Sequence, residues 1–374
     1  MTRSRHSLAG RSDIRRILVI KWTAMGDVVL ASAIIEDLHR AFPDATIDLN
    51  TMEPWDRLFR DDPRIQRIFT VDLRGRERGW RGIRRWLREV RRGRYDLVVD
   101  LQSNDRSALL LSALLLSGGR IPYRIGHRKR LPYNIFAPAP EGPRYSLEWS
   151  RAALRAAGIP AETPLPVLHV PTQNREHAQA LMIEEGLVTG QFALFMPGCQ
   201  AAGHLKRWGA ERYAELARLI QAEGVKAALI GGPDEREECA RIRALAGDAV
   251  VDLCGRTEVL DILPLAEASR YIVSNDTGTA HLSAAADRPM VVICGPTDPR
   301  RVRPPGDKVT ALQATLPCIN CYGKQCSHHS CMPMVTPRAV LAVLHGRAPE
   351  SADVALFGAR PERPLATPHS AMDP

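Results

Sequence analysis

The sequence predicts an α/β protein made of two Rossmann-like, doubly wound domains. Three observations predict it. Short apolar runs alternate with helical patterns along most of the chain, which is the signature of a parallel sheet covered on both faces. The alternation then repeats after a segment carrying four prolines, Pro160 to Pro171. The length of 374 residues suits two domains of ordinary size. The expected boundaries are a disordered leader over 1–13, a first domain over 14–160, a linker over 161–174, a second domain over 175–347 and a disordered tail over 348–374, which is rich in Pro and Ala.

In the first half, Ile17-Leu18-Val19-Ile20 is a β-branched run and reads as a buried strand. A turn over 21–26 leads into a helical pattern from Asp27 to about Phe42. Ile47-Asp48-Leu49 and Ile68-Phe69-Thr70-Val71 read as strands. Residues 80–92 predict a basic helix whose apolar stripe is Trp80, Ile83, Leu87 and Val90. Leu97 to Leu101 is a further strand, followed by a Leu-rich helix from Ser107. In the second half, Phe192–Met196, Ala227–Ile230, Val250–Leu253, Tyr271–Val273 and Val291–Cys294 read as strands. Ala210–Glu223, Asp234–Ala246 and Pro337–Leu344 read as helices. Two such domains leave a cleft between them, and ligands of open α/β sheets sit at the carboxyl ends of strands.

Composition bounds the partners. The longest apolar run, Ala108 to Leu116, is nine residues and contains Ser112, against the roughly 20 needed to span a bilayer. The N-terminal segment lacks an apolar signal core, so a cytoplasmic protein is expected. Residues 1–160 hold 30 of the 51 Lys/Arg and 18 of the 42 Asp/Glu, leaving 21 and 24 for the remainder. The first half therefore expects an anionic partner, either a membrane surface, an acidic saccharide or a nucleic acid. No recognised nucleic-acid module is present.

The most informative stretch is Ser274-Asn275-Asp276-Thr277-Gly278-Thr279-Ala280-His281, between a strand and an Ala-rich run. It sets a carboxylate, hydroxyls, a glycine and an imidazole at a helix entrance, where unpaired N–H groups and the dipole favour anions. Thr277 or Thr279 can donate to a phosphate, and Gly278 permits close backbone approach. Met25-Gly26-Asp27 follows the first strand. Asp27 reads either as a helix cap, which spacing alone favours, or as a carboxylate facing the cleft. Pro197-Gly198 with Lys206-Arg207-Trp208 places a point charge at a strand end, with Trp208 expected to pack under the following helix. Gly231-Gly232-Pro233-Asp234-Glu235 is a tight turn whose acids accept from ribose hydroxyls or merely favour a helix N-terminus. Cys318, Cys321, Cys326 and Cys331 form a cluster whose four thiolates suit a closed structural zinc or iron site, with His328 and His329 as alternative ligands. The other reading is four reduced cysteines in a compact loop. Cys199, Cys239, Cys254 and Cys294 are expected as buried fillers.

In this order, the segments resemble glycosyltransferase family 9, the heptosyltransferases of lipopolysaccharide core assembly. The resemblance rests on residues 17–21 with 25–30, on 41–45, 95–102, 206–208 and 231–233, and above all on Ser274 to Gly278 with His281 and then Gly295-Pro296-Thr297. It spans roughly residues 14–345. It implies a GT-B fold and inverting transfer of a heptose from ADP-heptose to a Kdo/heptose-lipid A acceptor, with no cofactor for catalysis. By position it implies Asp27 as general base and Lys206 on the donor diphosphate. Gly26, Gly198, Gly232, Asp276, Thr277, Gly278 and His281 are then donor-binding, and Asp234 or Glu235 is the acidic donor-side group. Arg124, Arg128, Lys129 and Arg130, with the basic helix, are candidates to meet acceptor phosphates or the inner leaflet, which makes the protein peripheral on the inner membrane. Two rivals remain at this stage: a family member that glycosylates a protein such as an autotransporter, and a non-catalytic nucleotide or nucleic-acid binding protein.

Overall fold

The computed structural model describes residues 7–72, 75–129, 131–138, 140–199, 201–349 and 351–358. The first domain runs β1 (Arg16–Ile20), α1 (Met25–Ala41), β2 (Thr46–Thr51), β3 (Ile65–Thr70), α2 (Trp80–Gly93), β4 (Leu97–Asp100), α3 (Asp105–Leu116), β5 (Tyr123–Gly126), β6 (Ile135–Phe136) and α4 (Ser146–Ala156). The second runs α5 (Thr172–Glu184), β7 (Phe192–Met196), α6 (Ala210–Gln221), β8 (Lys226–Leu229), α7 (Arg236–Ala246), β9 (Val250–Asp252), α8 (Ile262–Ala268), β10 (Tyr271–Asn275), α9 (Gly278–Ala284), β11 (Met290–Cys294), α10 (Pro299–Val302), β12 (Val309–Ala314), α11 (Pro337–Leu344) and β13 (Val354–Phe357).

The first sheet has the order β3-β2-β1-β4-β5-β6 and is parallel throughout. The second repeats that order as β9-β8-β7-β10-β11-β12, also parallel, and adds β13 antiparallel at its edge. In each sheet the strand order reverses beside the first strand, so a crevice opens at the carboxyl ends of β1 and β4 and again at those of β7 and β10. Register brings the ends level: Ile20 lies beside Asp100, and Met196 beside Ser274. The strands at these switch points are buried on both faces, which is why they read as unbroken apolar runs.

Several expectations need correction. The stripe of α2 is Ile83, Trp86, Leu87 and Val90, the i, i+3, i+4, i+7 set, while Trp80 is 67% exposed in the first turn. Trp86 is fully buried, and its Nε1 donates to Asn50 Oδ1 at 2.8 Å. Part of the expected leader packs on the first domain: Leu8 is fully buried and its N–H donates to the Ala157 carbonyl at 2.8 Å. One apolar residue among charged ones has no periodicity to reveal it. The second domain extends past 347, because Val354 and Leu356 pair with Ala314 and Leu312. The composition of the whole tail hides this four-residue run. The linker ends at Pro171, since α5 packs on α8 and Asn174 Nδ2 donates to Asp261 Oδ1 at 2.7 Å. Among the described residues no helix is long and apolar enough to cross a membrane.

Candidate active site

At the end of β1 the chain turns into α1, and Gln102 Oε1, just past β4, accepts the Trp22 and Thr23 N–H groups at 3.0 and 3.2 Å. This pins the turn across the switch point. Helix α1 starts at Met25, two residues earlier than the sequence suggested, with Ala24 at the N-cap. Asp27 therefore lies inside the first turn and is no cap. Its Oδ2 instead accepts Lys21 Nζ at 3.2 Å, and Lys21 also reaches the Leu101 carbonyl at 3.4 Å. The Lys21 side chain is 6% exposed and that of Asp27 40%.

The second switch point carries a network of its own. Asn275 is fully buried at the end of β10 and accepts from Trp208 N and Tyr213 Oη at 3.3 and 3.1 Å, while its amide donates to the Pro197 carbonyl. Asp276 Oδ2 accepts Lys206 Nζ at 2.7 Å and Thr297 Oγ1 at 2.8 Å. Gln313 Nε2 donates to the Gly295 and Thr297 carbonyls at 3.0 and 2.7 Å, fixing the loop that carries Thr297. Trp208 packs edge-on against Tyr213 in the core, the structural role expected for it. Helix α9 begins at Gly278 with Thr277 at its N-cap, so the anion-favouring helix end lies beside the Lys206–Asp276 pair.

The glycines have roles different from those read in the sequence. A Cβ on Gly26 would stand 2.5 Å from His281 Cδ2, and one on Gly278 would stand 2.8 Å from Met25 Cβ. Both glycines let α1 and α9 meet across the domain boundary, which the sequence could not separate from close approach to a ligand. Gly198 accommodates Glu235, whose Cγ would be 2.0 Å from an added Cβ. The Glu235 carboxylate accepts the Gly232 N–H at 2.8 Å, so it braces this turn, whereas Asp234 is exposed. His281 is buried, and its Nδ1 has no partner among the described residues. Burial holds its pKa below the ordinary histidine value, Lys206 pushes the same way, and Asp276 and Asp27 oppose. A neutral imidazole between the two carboxylates can give one hydrogen bond and take another.

A cavity of about 390 Å³ opens at the first switch point and is walled by both domains. Lys21, Asp27, Gln102, Arg144 and Trp149 line it from the first domain, and Arg301 and Tyr322 from the second. His127 joins the wall with its pKa pushed down to about 4, by burial first and then by Arg144 and Lys21, so it is neutral at physiological pH. The cations of this wall are not those the sequence singled out. Arg124 donates to the carbonyls of Pro132 and Ile121, Arg128 pairs with Asp105, and Lys129 is exposed; none of the three lines the cavity. Arg130 lies outside the described residues. Arg144 and Arg301 were missed because each sits in a loop-like stretch with no pattern around it.

The four clustered cysteines lie on one loop. Cys318, Cys321 and Cys326 are exposed, and Cys331 is half-buried. Cys321 Sγ accepts from Gly323 N at 3.4 Å, Cys326 Sγ accepts from His329 N at 3.2 Å, and Cys318 Sγ lies 3.9 Å from His328 Nε2. The donor set suits a soft metal, but the thiols do not converge. Among the described residues only Cys239, Asp252 and Cys254 bring three ligand atoms within 4.8 Å of one another. Cys199, Cys239 and Cys294 are buried as expected, whereas Cys254 is half-buried and its thiol contacts the Gly232 carbonyl at 3.4 Å.

This arrangement of paired switch-point sites has relatives. Lipopolysaccharide heptosyltransferase 2 of Salmonella typhimurium is 29% identical over 355 residues, covering 88% of this chain and 97% of that protein. Lipopolysaccharide heptosyltransferase 1 of Pseudomonas aeruginosa is 27% identical over 335 residues, covering 84% and 88%. Among solved structures, the ADP-heptose lps heptosyltransferase II of E. coli superposes with a TM-score of 0.67 at 24% identity, over 88% of this chain and 98% of that one. The glycosyl transferase family 9 protein of Veillonella parvula gives 0.70 at 22% identity, over 81% and 87%. These structures share the GT-B fold seen here. The sequence model described as glycosyltransferase family 9 (heptosyltransferase) matches residues 83–332, more than half of the chain and including both the Lys206–Asp276 pair and the cysteine loop. The two facing domains thus form a glycosyltransferase, and the chain belongs to glycosyltransferase family 9.

Proposed function

We propose that this enzyme moves a heptose from ADP-heptose to a Kdo/heptose-lipid A acceptor of the lipopolysaccharide inner core, with inversion at the transferred carbon. The observation that carries the reading is the place of Asp27. Its carboxylate is held by buried Lys21 and opens onto a cavity bounded by both domains. An acceptor hydroxyl is a poor nucleophile, and a carboxylate that takes its proton as the glycosidic bond forms contributes typically about 10²–10⁴-fold. The leaving ADP gains negative charge. Lys206, held at the end of β10 by Asp276, and the N–H groups at the start of α9 supply the opposing charge without having to reorganise. The contact of α1 with α9 brings the base and the donor groups together, and closure of the domains on bound substrates would exclude water and favour transfer over hydrolysis.

The lipid-borne acceptor places the enzyme at the inner leaflet on its cytoplasmic side. The outer layer of α2 and α3 supports this: Trp80, Leu109 and Leu116 are exposed there at 67, 65 and 89%, beside exposed Arg81, Arg84 and Arg88. An aromatic and aliphatic surface ringed by arginines suits anionic headgroups. Zinc or iron on Cys318, Cys321, Cys326 and Cys331 belongs to this reading only if the loop closes around the ion, which elemental analysis of tag-free protein decides. Mass spectrometry of the products formed from ADP-heptose and deacylated inner-core acceptors, with NMR of the new anomeric linkage, tests the whole. A core enlarged by one heptose of inverted anomeric configuration is expected, and free heptose or an unmodified core would sink the assignment.

A further inference from the structure

The cysteine loop reads in the sequence as a structural site, but its Tyr322 forms part of the cleft wall. Within it Asn320, Tyr322 and His329 adopt left-handed backbone, with φ of 62°, 51° and 42°. For a bulky aromatic this conformation is costly and persists only where the surroundings over-determine it. The surroundings do so here. Tyr322 N donates to the Pro296 carbonyl at 2.9 Å, and its Oη accepts from Asp298 N at 3.3 Å. Asn320 Oδ1 accepts from Gln313 Nε2 at 2.9 Å, the same amide that fixes the Thr297 loop. His329 Nε2 lies 2.7 Å from the carbonyl of Leu205, the residue before Lys206.

The product of these bonds is an aromatic ring delivered to the cleft wall, with the Arg301 guanidinium 5.2 Å from its centroid. Opposite stands a second pair of the same kind, Arg144 with its guanidinium 4.7 Å from the Trp149 ring. Asp27 is the one carboxylate among the residues lining the cavity, against the cations Lys21, Arg144 and Arg301. The donor groups Lys206, Asp276 and Thr277 are not part of that lining. The cavity is therefore shaped for something other than the nucleotide: a ring with an apolar face to lie on an aromatic, carrying negative charge for the arginines, and a hydroxyl for Asp27.

We propose that Tyr322 and Arg301 form the second-domain half of an acceptor subsite for an anionic sugar, so that the cysteine loop reads the acceptor. This rests on the reading of Asp27 as the base for that acceptor. The test measures the KM of a deacylated, Kdo-bearing core in transfer, its binding to the ADP-bound enzyme by calorimetry, and ADP affinity, for the wild type and for Tyr322→Ala, Tyr322→Phe and Arg301→Ala. Both alanine variants are expected to raise KM and Kd for the core by about tenfold or more. ADP affinity should stay within about twofold, and Tyr322→Phe should keep most of the core affinity because the ring is retained. Unchanged core affinity in both alanine variants overturns the proposal. So does a parallel loss of ADP affinity, which would make the loop a support for the donor site. Wild-type enzyme that binds the core with these sensitivities but transfers nothing to it would instead overturn the reaction proposed above and leave the subsite standing.

Discussion

The two switch points share one strand order but differ in how their polar groups are held. At β7 and β10 the groups are tied to one another before any ligand arrives: Lys206 to Asp276, Asp276 to Thr297, and the loop of Thr297 to Gln313. At β1 and β4 the Lys21–Asp27 pair borders a cavity, and Arg144 and Arg301 stand exposed on either side of it. On the function proposed above, the same topology gives a donor half whose groups are tied together and an acceptor half that stays open. Preorganised groups stabilise charge without reorganisation, whereas an open site accommodates a large, variable partner and gains from closure.

The comparison can be broken by exchanging what each half loses. Asp27→Asn should cut single-turnover transfer by about 10²-fold or more while ADP affinity stays within about twofold, because the base belongs to the open half alone. Near-normal turnover would remove Asp27 from the role. Lys206→Ala should weaken ADP binding by roughly 1.5–3 kcal/mol, the scale of a charged hydrogen bond, and leave core affinity largely intact. Calorimetry showing unchanged ADP affinity would erase the distinction between the halves.

The basic character of the first half has its own test. Reversing Arg81, Arg84 and Arg88 to Glu should weaken flotation with phosphatidylglycerol-containing vesicles by about tenfold or more, at roughly 1 kcal/mol per charge near the surface. Transfer to a deacylated core should be spared, and equal vesicle binding would move the membrane contact elsewhere. The smallest effect concerns His127. Its folded pKa of about 4 lies below that of the unfolded chain, so it favours the folded state above about pH 6.5, and that contribution is lost as pH falls towards 4. His127→Gln should therefore flatten the fall in Tm between those limits, and an unchanged Tm profile would show that the cleft is wetter than its burial implies.

Much of the fold was legible because switch-point strands must be apolar on both faces. The runs of β1, β4, β7, β10 and β11 announce themselves. Elements with one buried face or too few residues did not: β5, β6, α4, α5 and α8 went unread, and so did β12, whose Thr310 and Gln313 interrupt its apolar run. The same distinction governs the site. Asp27, Asp276 and His281 lie in the turns or first helical turns that follow switch-point strands, where topology gives position, and Lys206 sits in the connection after β7. Arg144 and Tyr322 reach the cleft from loops, and Arg301 from the single turn of α10, none of which has a period to detect.

The sequence by itself determined that there are two parallel α/β domains, where their first strands end and which motifs sit at those ends, because these follow from local periodicity and turn chemistry. Only the tertiary structure decided that Gly26 and Gly278 serve the meeting of two helices, that Glu235 braces a turn, that Trp86 and not Trp80 is buried, and that the cysteine loop brings Tyr322 to the wall of the interdomain cavity. Each of those depends on which side chain fills the space beside a residue distant in sequence. Close packing settles that only once both domains are in place.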